Sequence, residues 1–455
     1  MQRTVYMVSL GCAKNLVDSE IILGALVQAG WKIVEDASVA QVLLINTCGF
    51  VQSAVEEAVE EILQLATVKK EFPDKKLVVV GCLVQRYKDQ LLSELPEVDL
   101  FIGTEGGKDM AGYFEALFHG RPSPRIDIPL WHVTNSTQPR ILATPHFRSS
   151  LKITEGCNNR CAYCMIPAIR GRLRSRGIAD LIHEALILQE KGVQELSLIA
   201  QDLTAYGTER DKKETLRSLL EQLLAATTIP WLRLMYLYPS GVDDDLLDIM
   251  ADEPRIVPYL DIPIQHASTR VLAAMNRRYS REDLYRLVQK SRLRLPAIAL
   301  RTTLLVGFPG EKEADVLLLE QFLRDLRFDH VGIFAYSNEE GCASEHFPDQ
   351  CSEQEKDARR RHLLSIQADI SAQVQQKYVG RMEPVLIEGL SGESDLLLEG
   401  RTRFQAPDVD GCVYIVDGEA NPGDIVQVHI TEAHVYDLVG EIVETGVAGG
   451  NVRAS

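Results

Sequence analysis

The stretch LKITEGCNNRCAYC, which occupies residues 151–164, indicates the fold of the chain. Its first four residues predict a β-strand, and Cys157, Cys161 and Cys164 follow within eight residues. Loops that follow the strands of a β/α barrel meet at its C-terminal mouth, where such folds carry their active sites. The stretch therefore predicts three thiols at the mouth of a β/α barrel.

The spacing CxxxCxxC indicates an iron–sulfur centre, because thiolates are soft ligands that suit iron–sulfur clusters and zinc. A structural zinc site needs four ligands in a closed tetrahedron, and residues 147–182 contain no fourth Cys or His. Three thiolates fit a four-iron–four-sulfur cluster in which one iron stays open to a small molecule. A zinc knuckle that a distant residue completes is the alternative.

Downstream of this stretch, short apolar runs alternate with amphipathic helical segments. The predicted strands are 151–154, 195–199, 232–237, 260–264, 300–306 and 331–336. Six such units are fewer than the eight of a closed barrel, so we expect a partial, open (β/α)6 barrel.

The regions on either side of this barrel differ from each other. The apolar runs TVYMVSL, QVLLIN and KLVVVG near the N-terminus are typical of parallel strands covered on both faces, which predicts a doubly wound α/β domain. Near the C-terminus, short strands separated by Gly, Asp and Pro turns predict a small antiparallel β-barrel. The fold class is therefore α/β multidomain. The expected limits are 1–120 for the N-terminal domain, 121–146 for a proline-rich linker, 147–378 for the barrel with a connector helix, and 379–445 for the small β-barrel.

A second cysteine trio lies in the N-terminal domain. Cys12, Cys48 and Cys82 each follow the end of a predicted parallel strand, and such strand ends converge on one edge of a doubly wound sheet. We expect the three thiols to be neighbours that bind a second cluster, with three buried structural cysteines as the alternative. Adjacent glycines would let the backbone approach that cluster. These glycines are Gly11, Gly49 and Gly81.

The charge and the apolar runs of the chain argue against phosphate-binding surfaces and against membrane spans. The 455 residues include 48 Lys and Arg against 65 Asp and Glu, a net charge of −17, and such a surface repels phosphate backbones and attracts basic partners. No apolar run approaches the roughly 20 residues that span a bilayer, and the N-terminal residues lack a signal-peptide pattern. We expect a cytoplasmic protein without a membrane partner.

Nine cysteines argue against a disulfide framework, and Cys342, Cys351 and Cys412 are predicted to be inert.

The CxxxCxxC motif, with Tyr163 between its last two cysteines, resembles that of the radical S-adenosylmethionine superfamily. The resemblance implies that the open iron would bind S-adenosylmethionine and that one electron would cleave it to a 5′-deoxyadenosyl radical. That radical would abstract hydrogen from an unactivated carbon. This chemistry belongs to the cofactors, so no catalytic residue is predicted beyond the six cysteines.

Nearly the whole chain resembles the methylthiotransferases of this superfamily, which implies two four-iron–four-sulfur clusters and a C-terminal TRAM domain. The matching stretches are SLGCAKNLVDSE (9–20), INTCGF (45–50), CNNRCAYCMIPAIRG (157–171), AQDLTAYG (200–207), DIPIQHAS (261–268) and RTTLLVGFPGE (301–311). Members that modify transfer RNA typically read GCQMN at the first cysteine, and those that modify small-subunit ribosomal protein twelve read SLGCPKNLVDSE. This chain resembles the second branch, with Ala13 in place of proline. The resemblance implies methylthiolation of the β-carbon of a conserved aspartate. One S-adenosylmethionine would methylate sulfur at the N-terminal cluster, and a second would form the radical.

The charge of the C-terminal region favours the same branch. Residues 381–444 hold three Arg and no Lys against fourteen Asp and Glu, a balance suited to a basic ribosomal protein rather than to RNA. We expect that protein as substrate, a flavodoxin or ferredoxin as electron donor, no nucleic acid as direct substrate, and a monomer. A tRNA adenosine methylthiotransferase and a non-catalytic iron–sulfur protein are the alternatives.

Six further residues are candidates for contacts with S-adenosylmethionine. They are Tyr163, Gln201, Asp202, Arg233, Gly307 and Pro309. Arg233 could equally be a buried ion-pair partner, and the turn that contains Gly307 and Pro309 could be a plain turn. His266 is equally consistent with a structural and a functional role.

Overall fold

The computed structural model of the chain describes residues 3–104, 106–119, 125–210 and 214–443. The N-terminal strands are β1 (Thr4–Ser9), β2 (Lys32–Ile33), β3 (Val42–Thr47), β4 (Lys76–Gly81), β5 (Leu100–Ile102) and β6 (Ile126–Asp127). The N-terminal helices are α1 (Ala13–Gln28), α2 (Gln52–Glu71), α3 (Cys82–Tyr87), α4 (Gln90–Glu94) and α5 (Met110–Phe118). The six strands form one sheet in the order β2-β1-β3-β4-β5-β6, and all neighbours run parallel.

Helices cover both faces of this sheet, so strand β3 is buried along its whole length. Leu43 and Ile45 pack with residues of α2, whereas Val42 and Leu44 face the opposite way and pack with α1 and α5. The near-continuous apolar run of β3 is the sequence signature of such two-sided burial. The prediction of a doubly wound parallel domain is therefore confirmed.

The central region contains six parallel strands that alternate with helices. The strands are β7 (Arg148–Lys152), β10 (Glu195–Ile199), β11 (Trp231–Leu234), β12 (Tyr259–Asp261), β13 (Ala299–Val306) and β14 (His330–Ala335); a small ladder adds β8 (Thr154–Glu155) and β9 (Arg174–Ser175). The helices are α6 (Ile166–Arg170), α7 (Ile178–Glu190), α8 (Leu216–Ala226), α9 (Asp244–Asp252), α10 (Thr269–Ala274), α11 (Arg281–Arg294), α12 (Glu313–Leu326) and α13 (Glu353–Gln375). The strands form two three-stranded sheets, β11-β10-β7 and β12-β13-β14, and an isolated parallel bridge pairs Leu232 of β11 with Ile256, three residues before β12. The predicted partial (β/α)6 barrel is confirmed.

The C-terminal region is a closed five-stranded barrel. Its strands are β15 (Met382–Ser391), β16 (Ser394–Thr402), β17 (Val413–Asp417), β18 (Ile425–Ala433) and β19 (Leu438–Ile442). They close in the order β15-β16-β17-β19-β18, and β17 runs parallel to β19 while the other neighbours are antiparallel. The expectation of a wholly antiparallel barrel was wrong in this one pair, because an odd number of strands cannot close with every neighbour antiparallel.

Buried ion pairs connect the three regions. Arg140, from the segment before the barrel, pairs with Glu20 of α1 and Glu184 of α7, at 2.6 Å in both cases. Glu195, at the start of β10, pairs with Arg233 of its own sheet and with Arg401 of the small β-barrel. These contacts connect the N-terminal domain and the small β-barrel to the central barrel.

The structure leaves some sequence predictions as they were. The limits at 120, 146 and 378 stay predictions. Pro122 and Pro124 of the predicted linker and the last two residues of the predicted C-terminal domain lie outside the described residues. No helix in the described part of the chain has both the length and the apolar character that crossing a membrane requires.

Candidate functional site

All six predicted cluster cysteines line one cavity between the N-terminal domain and the mouth of the central barrel. The cavity has a volume of about 350 Å³. It is lined by the N-terminal trio, which is Cys12, Cys48 and Cys82, and by the barrel trio, which is Cys157, Cys161 and Cys164. The structure thus brings together two sets of thiols that the sequence separates by 75 residues or more.

The N-terminal trio assembles because β1, β3 and β4 are neighbours in the sheet and end at one edge. Cys12 immediately precedes α1, Cys48 directly follows β3, and Cys82 is the first residue of α3. Each cysteine therefore occupies the turn from a parallel strand into the helix that follows, which is where doubly wound sheets place ligands.

The glycines beside these cysteines lie in close contact with the neighbouring loops, and their approach to a cluster stays a prediction. A Cβ on Gly11 would lie 2.9 Å from the Cβ of Cys48, and a Cβ on Gly49 would lie 2.8 Å from the backbone of Leu83. Contacts below 3.0 Å force the neighbouring atoms to move. The glycines thus permit the three cysteine-bearing loops to approach one another.

The barrel trio is held by the backbone of its own loop and by the barrel wall. The Cys157 N–H donates to the Gly171 carbonyl at 3.1 Å, and the Cys164 N–H donates to the Cys161 carbonyl at 3.1 Å. The Asn159 amide donates to Asp202 at 2.6 Å, and both of these side chains also line the cavity. This trio is therefore positioned by local hydrogen bonds rather than by sheet topology.

Each trio has one arginine beside it. Arg170 donates to the Cys82 sulfur at 3.4 Å and to Asp18 of α1 at 2.7 Å, so it also connects α6 with the N-terminal domain. Arg277 donates to the Cys161 sulfur at 3.7 Å and to the Pro263 carbonyl. A cation beside a sulfur stabilises the thiolate, which is the form that binds metal.

The pKa values of the thiols show that burial disfavours the thiolate form in both trios. Burial raises the pKa of Cys157 and that of Cys82 to about 11, and it also raises the pKa of Cys164. Burial also acts to raise the pKa of Cys12. The charge of Lys14 and other contacts outweigh burial, so the pKa of Cys12 is lowered. Thiolates in this cavity therefore depend on neighbouring positive charge or on a bound metal centre.

The donor set fits iron–sulfur clusters better than single ions. Within the described residues, no three Cys, His, Asp or Glu side chains lie close enough together to hold a single metal ion. A four-iron cluster is larger, so its thiolate ligands stand farther apart. Two sets of three soft ligands, each with an arginine at one sulfur, match such clusters with one iron of each left open.

The structure divides the predicted S-adenosylmethionine contacts into two groups. Tyr163, Gln201 and Asp202 line the cavity with the cysteines. Arg233 lies away from that lining, fully buried, 2.5 Å from Glu195 and with a 3.0 Å hydrogen bond to the Arg403 carbonyl. The ion-pair alternative considered for Arg233 is the arrangement that the structure shows.

Gly307 and Pro309 also lie outside the cavity lining. The Gly307 N–H donates to Glu311 at 3.0 Å, and a Cβ at Gly307 would meet the side chain of Lys356 at 2.3 Å. His266 is fully buried with its Nε2 3.3 Å from the same Glu311 carboxylate. These residues form a packed turn behind the cavity.

Sequence reasoning missed several cavity residues, among them four that bear a charge or contact a predicted site residue. They are Lys14, Asn159, Arg170 and Arg277. The first three belong to stretches that we quoted for their cysteines, so a reading of the neighbouring polar residues could have found them. Arg277 follows α10 with no motif around it, and only the fold brings it to the cavity.

Comparisons with known protein families match three parts of the chain. The uncharacterized protein family UPF0004 matches residues 4–103, the radical SAM superfamily matches 151–323, and the TRAM domain matches 379–443.

Three curated relatives match nearly the full length. The ribosomal protein uS12 methylthiotransferase RimO of Desulfotalea psychrophila is 56% identical over 96% of this chain and 99% of that protein. The RimO proteins of Anaeromyxobacter sp. (strain K) and Citrifermentans bemidjiense are 48% and 45% identical over 97% of this chain, and over 94% and 98% of their own lengths.

Solved structures with a similar fold are more distant in sequence. TsrM from Kitasatospora setae, a radical S-adenosylmethionine methyltransferase solved with cobalamin and a [4Fe-4S] cluster, has a TM-score of 0.58 and 19% identity over 74% of this chain and 75% of that one. OxsB, solved with aqua-cobalamin and S-adenosylmethionine, has a TM-score of 0.51 and 12% identity over 80% of this chain and 56% of that one. At these identities the similarity concerns the fold alone.

Proposed function

Because the chain belongs to the family of ribosomal protein uS12 methylthiotransferases, we propose that it replaces one C–H hydrogen of that protein with a methylthio group. The chain is a radical S-adenosylmethionine transferase, a class that uses an iron–sulfur cluster. The finer proposal is that the acceptor is the β-carbon of a conserved aspartate, and that two four-iron–four-sulfur clusters take part.

The convergence of the two cysteine trios on one cavity is the observation that carries this proposal. A methylthio group held at one trio and a carbon activated at the other can react only when both occupy the same space. When bound, the clusters and S-adenosylmethionine supply the one-electron chemistry that exchanges the C–H bond for a C–S bond. The protein supplies the ligands, the cations beside them and the walls that exclude water.

Individual residues have separate tasks in this proposal. The barrel trio would hold the cluster that binds S-adenosylmethionine, and the N-terminal trio would hold the auxiliary cluster. Tyr163, Gln201 and Asp202 would orient S-adenosylmethionine, since all three side chains reach the cavity. Arg170 and Arg277 would stabilise the thiolates that they contact.

We further propose a monomer that works in the cytoplasm with a flavodoxin or ferredoxin as electron donor. A tRNA adenosine methylthiotransferase remains the second candidate because its members share the three-part organisation. The acidic surface of the small β-barrel disfavours it, since RNA affinity comes from neutralising phosphates.

The deciding experiment incubates anaerobically reconstituted protein, S-adenosylmethionine, a sulfur source and a reductant with uS12 in one reaction and with transfer RNA in another. We expect mass spectrometry to detect one methylthio group on a uS12 aspartate and none on the RNA. A methylthio group on the RNA alone would reverse the assignment. If neither reaction forms 5′-deoxyadenosine, the result would contradict the assignment of the chain as a radical S-adenosylmethionine enzyme.

A further inference from the structure

Lys14 brings a third cation into the cavity. Its side chain is only 5% exposed, and it reaches from the N-terminal domain to the barrel. The ammonium donates to the Ala200 carbonyl at 3.2 Å and lies 3.1 Å from the centre of the Tyr236 ring. No carboxylate of the described residues lies within ion-pair distance of it.

The other two cavity cations already have specific partners. Arg170 contacts the Cys82 sulfur and Asp18, and Arg277 contacts the Cys161 sulfur. Lys14 forms a hydrogen bond to no sulfur in the described part of the chain. The charge of Lys14 favours the Cys12 thiolate without using a donor, and an ammonium has three donors, of which the Ala200 carbonyl and the Tyr236 ring occupy two.

The backbone beneath Lys14 is strained. Tyr236 has φ +63° and Gln265, which also lines the cavity, has φ +69°. Residues other than glycine rarely adopt this conformation, and strain of this kind concentrates at functional sites. Here the unusual backbone at residue 236 presents the face of the tyrosine ring to the ammonium, which fixes the position of the charge.

We infer that Lys14 and Tyr236 form a carboxylate-binding subsite that holds the side chain of the substrate aspartate between the two trios. The inference rests on the proposed function, because that function places an aspartate in the cavity. The remaining donor of Lys14 would bind the carboxylate and fix the position of the neighbouring β-carbon. S-Adenosylmethionine also has a carboxylate, and the experiment below separates the two ligands.

The test measures binding to the reconstituted holoprotein with S-adenosylmethionine present and no reductant, so that no reaction occurs. The probes are uS12 and a uS12 variant whose target aspartate is asparagine. We expect Lys14→Met to weaken binding of uS12 about tenfold, the size of one charge-assisted hydrogen bond, and to leave binding of the asparagine variant unchanged. Lys14→Arg keeps the charge and should preserve most of the preference for aspartate.

Controls separate the subsite from other roles of Lys14. Lys70→Met removes an exposed lysine from the far end of α2 and should change neither affinity. Equal weakening of both probes or a lower affinity for S-adenosylmethionine in Lys14→Met would each overturn the inference, and wild type and variant are compared at equal iron content. If the wild-type protein binds neither form of uS12, the proposed function fails. If it binds uS12 but Lys14→Met binds both forms as tightly as wild type does, only the Lys14 subsite fails.

Discussion

The two cysteine trios reach the same cavity by different structural routes. The barrel trio spans eight residues of one loop, whose backbone hydrogen bonds position the thiols. The N-terminal trio spans 71 residues of sequence and depends on three neighbouring strands ending at one edge. The first arrangement is visible as a motif, whereas the second exists only when the sheet has formed. We therefore expect the N-terminal trio to be the more sensitive to changes in packing.

The largest effect should follow removal of either trio. Reconstituted wild-type protein should bind about eight irons, and replacing Cys12, Cys48 and Cys82 with alanine should remove about half of them. That variant should still form 5′-deoxyadenosine but should lose methylthio transfer completely. Replacing Cys157, Cys161 and Cys164 should abolish both reactions. Iron analysis and product chromatography measure these outcomes.

The third set of cysteines provides a matched control for this comparison. Cys351→Ala and Cys412→Ala remove thiols that lie outside the cavity lining and should leave the iron content unchanged. An unchanged iron content in the N-terminal triple variant would show that only the barrel trio holds a cluster.

Substitution of Glu195 should lower the stability of the protein strongly and leave both cysteine trios intact. Burial raises the pKa of its carboxyl, but the charges of Arg233 and Arg401 outweigh burial and lower the pKa to about 2 from 4.5. The resulting stabilisation, about 3 kcal/mol, is present above pH 4.5 and is lost as the pH falls toward 2. Glu195→Gln should reduce the free energy of unfolding at pH 7 by about 3–5 kcal/mol, because two arginines lose their buried partner.

Urea unfolding of wild type and Glu195→Gln at pH 7 and pH 3 checks this prediction. The difference between them should shrink at pH 3, and both proteins should take up the same amount of iron at pH 7. Glu57→Gln, at an exposed position on α2, should have little effect at either pH. A difference that is independent of pH would show that the Glu195 charge is not what stabilises the contact.

A smaller and more selective effect is expected from Gly81, beside the last cysteine of the N-terminal trio. It has φ +110°, and a Cβ would lie 2.4 Å from the Asn46 side-chain oxygen. Gly30 has φ +86° with open space around it, so Gly30→Ala carries the conformational cost, about 1–2 kcal/mol, without the clash. Gly81→Ala should be the more destabilising of the two variants and should lower iron binding by the N-terminal trio only.

Thermal unfolding and iron analysis of both glycine variants measure this difference. Equal destabilisation of the two, with full iron content, would mean that the loop can move away from residue 46. The N-terminal trio would then tolerate packing changes as well as the barrel trio does.

Much of this organisation was predictable from sequence because two kinds of signal were strong. Alternation of apolar strands with amphipathic helices predicted both α/β regions, and the strand ends predicted the convergence of Cys12, Cys48 and Cys82. Arg233 shows where such reasoning ends. It lies on a strand of the barrel as predicted, but its partners, Glu195 and the Arg403 carbonyl, are 38 and 170 residues away in sequence. A strand pattern does not show which distant residues a charged side chain on that strand contacts.

The parallel pair in the small β-barrel was beyond prediction for a similar reason. The turns between its strands indicate their number, whereas the neighbour of each strand depends on how the barrel closes. Lys14 lies two residues after Cys12 and belongs to no ligand motif of its own, although both side chains line the same cavity.

The size of the cavity restricts which form of a macromolecule can react there. About 350 Å³ is at the low end for sites that enclose small molecules. A cavity of this size admits a side chain but not a folded domain. A polypeptide acceptor can therefore offer its residue only from the apex of a narrow, protruding loop whose backbone stays at the rim. Accessibility on the acceptor's own surface then becomes a selection rule that operates before any side chain is recognised.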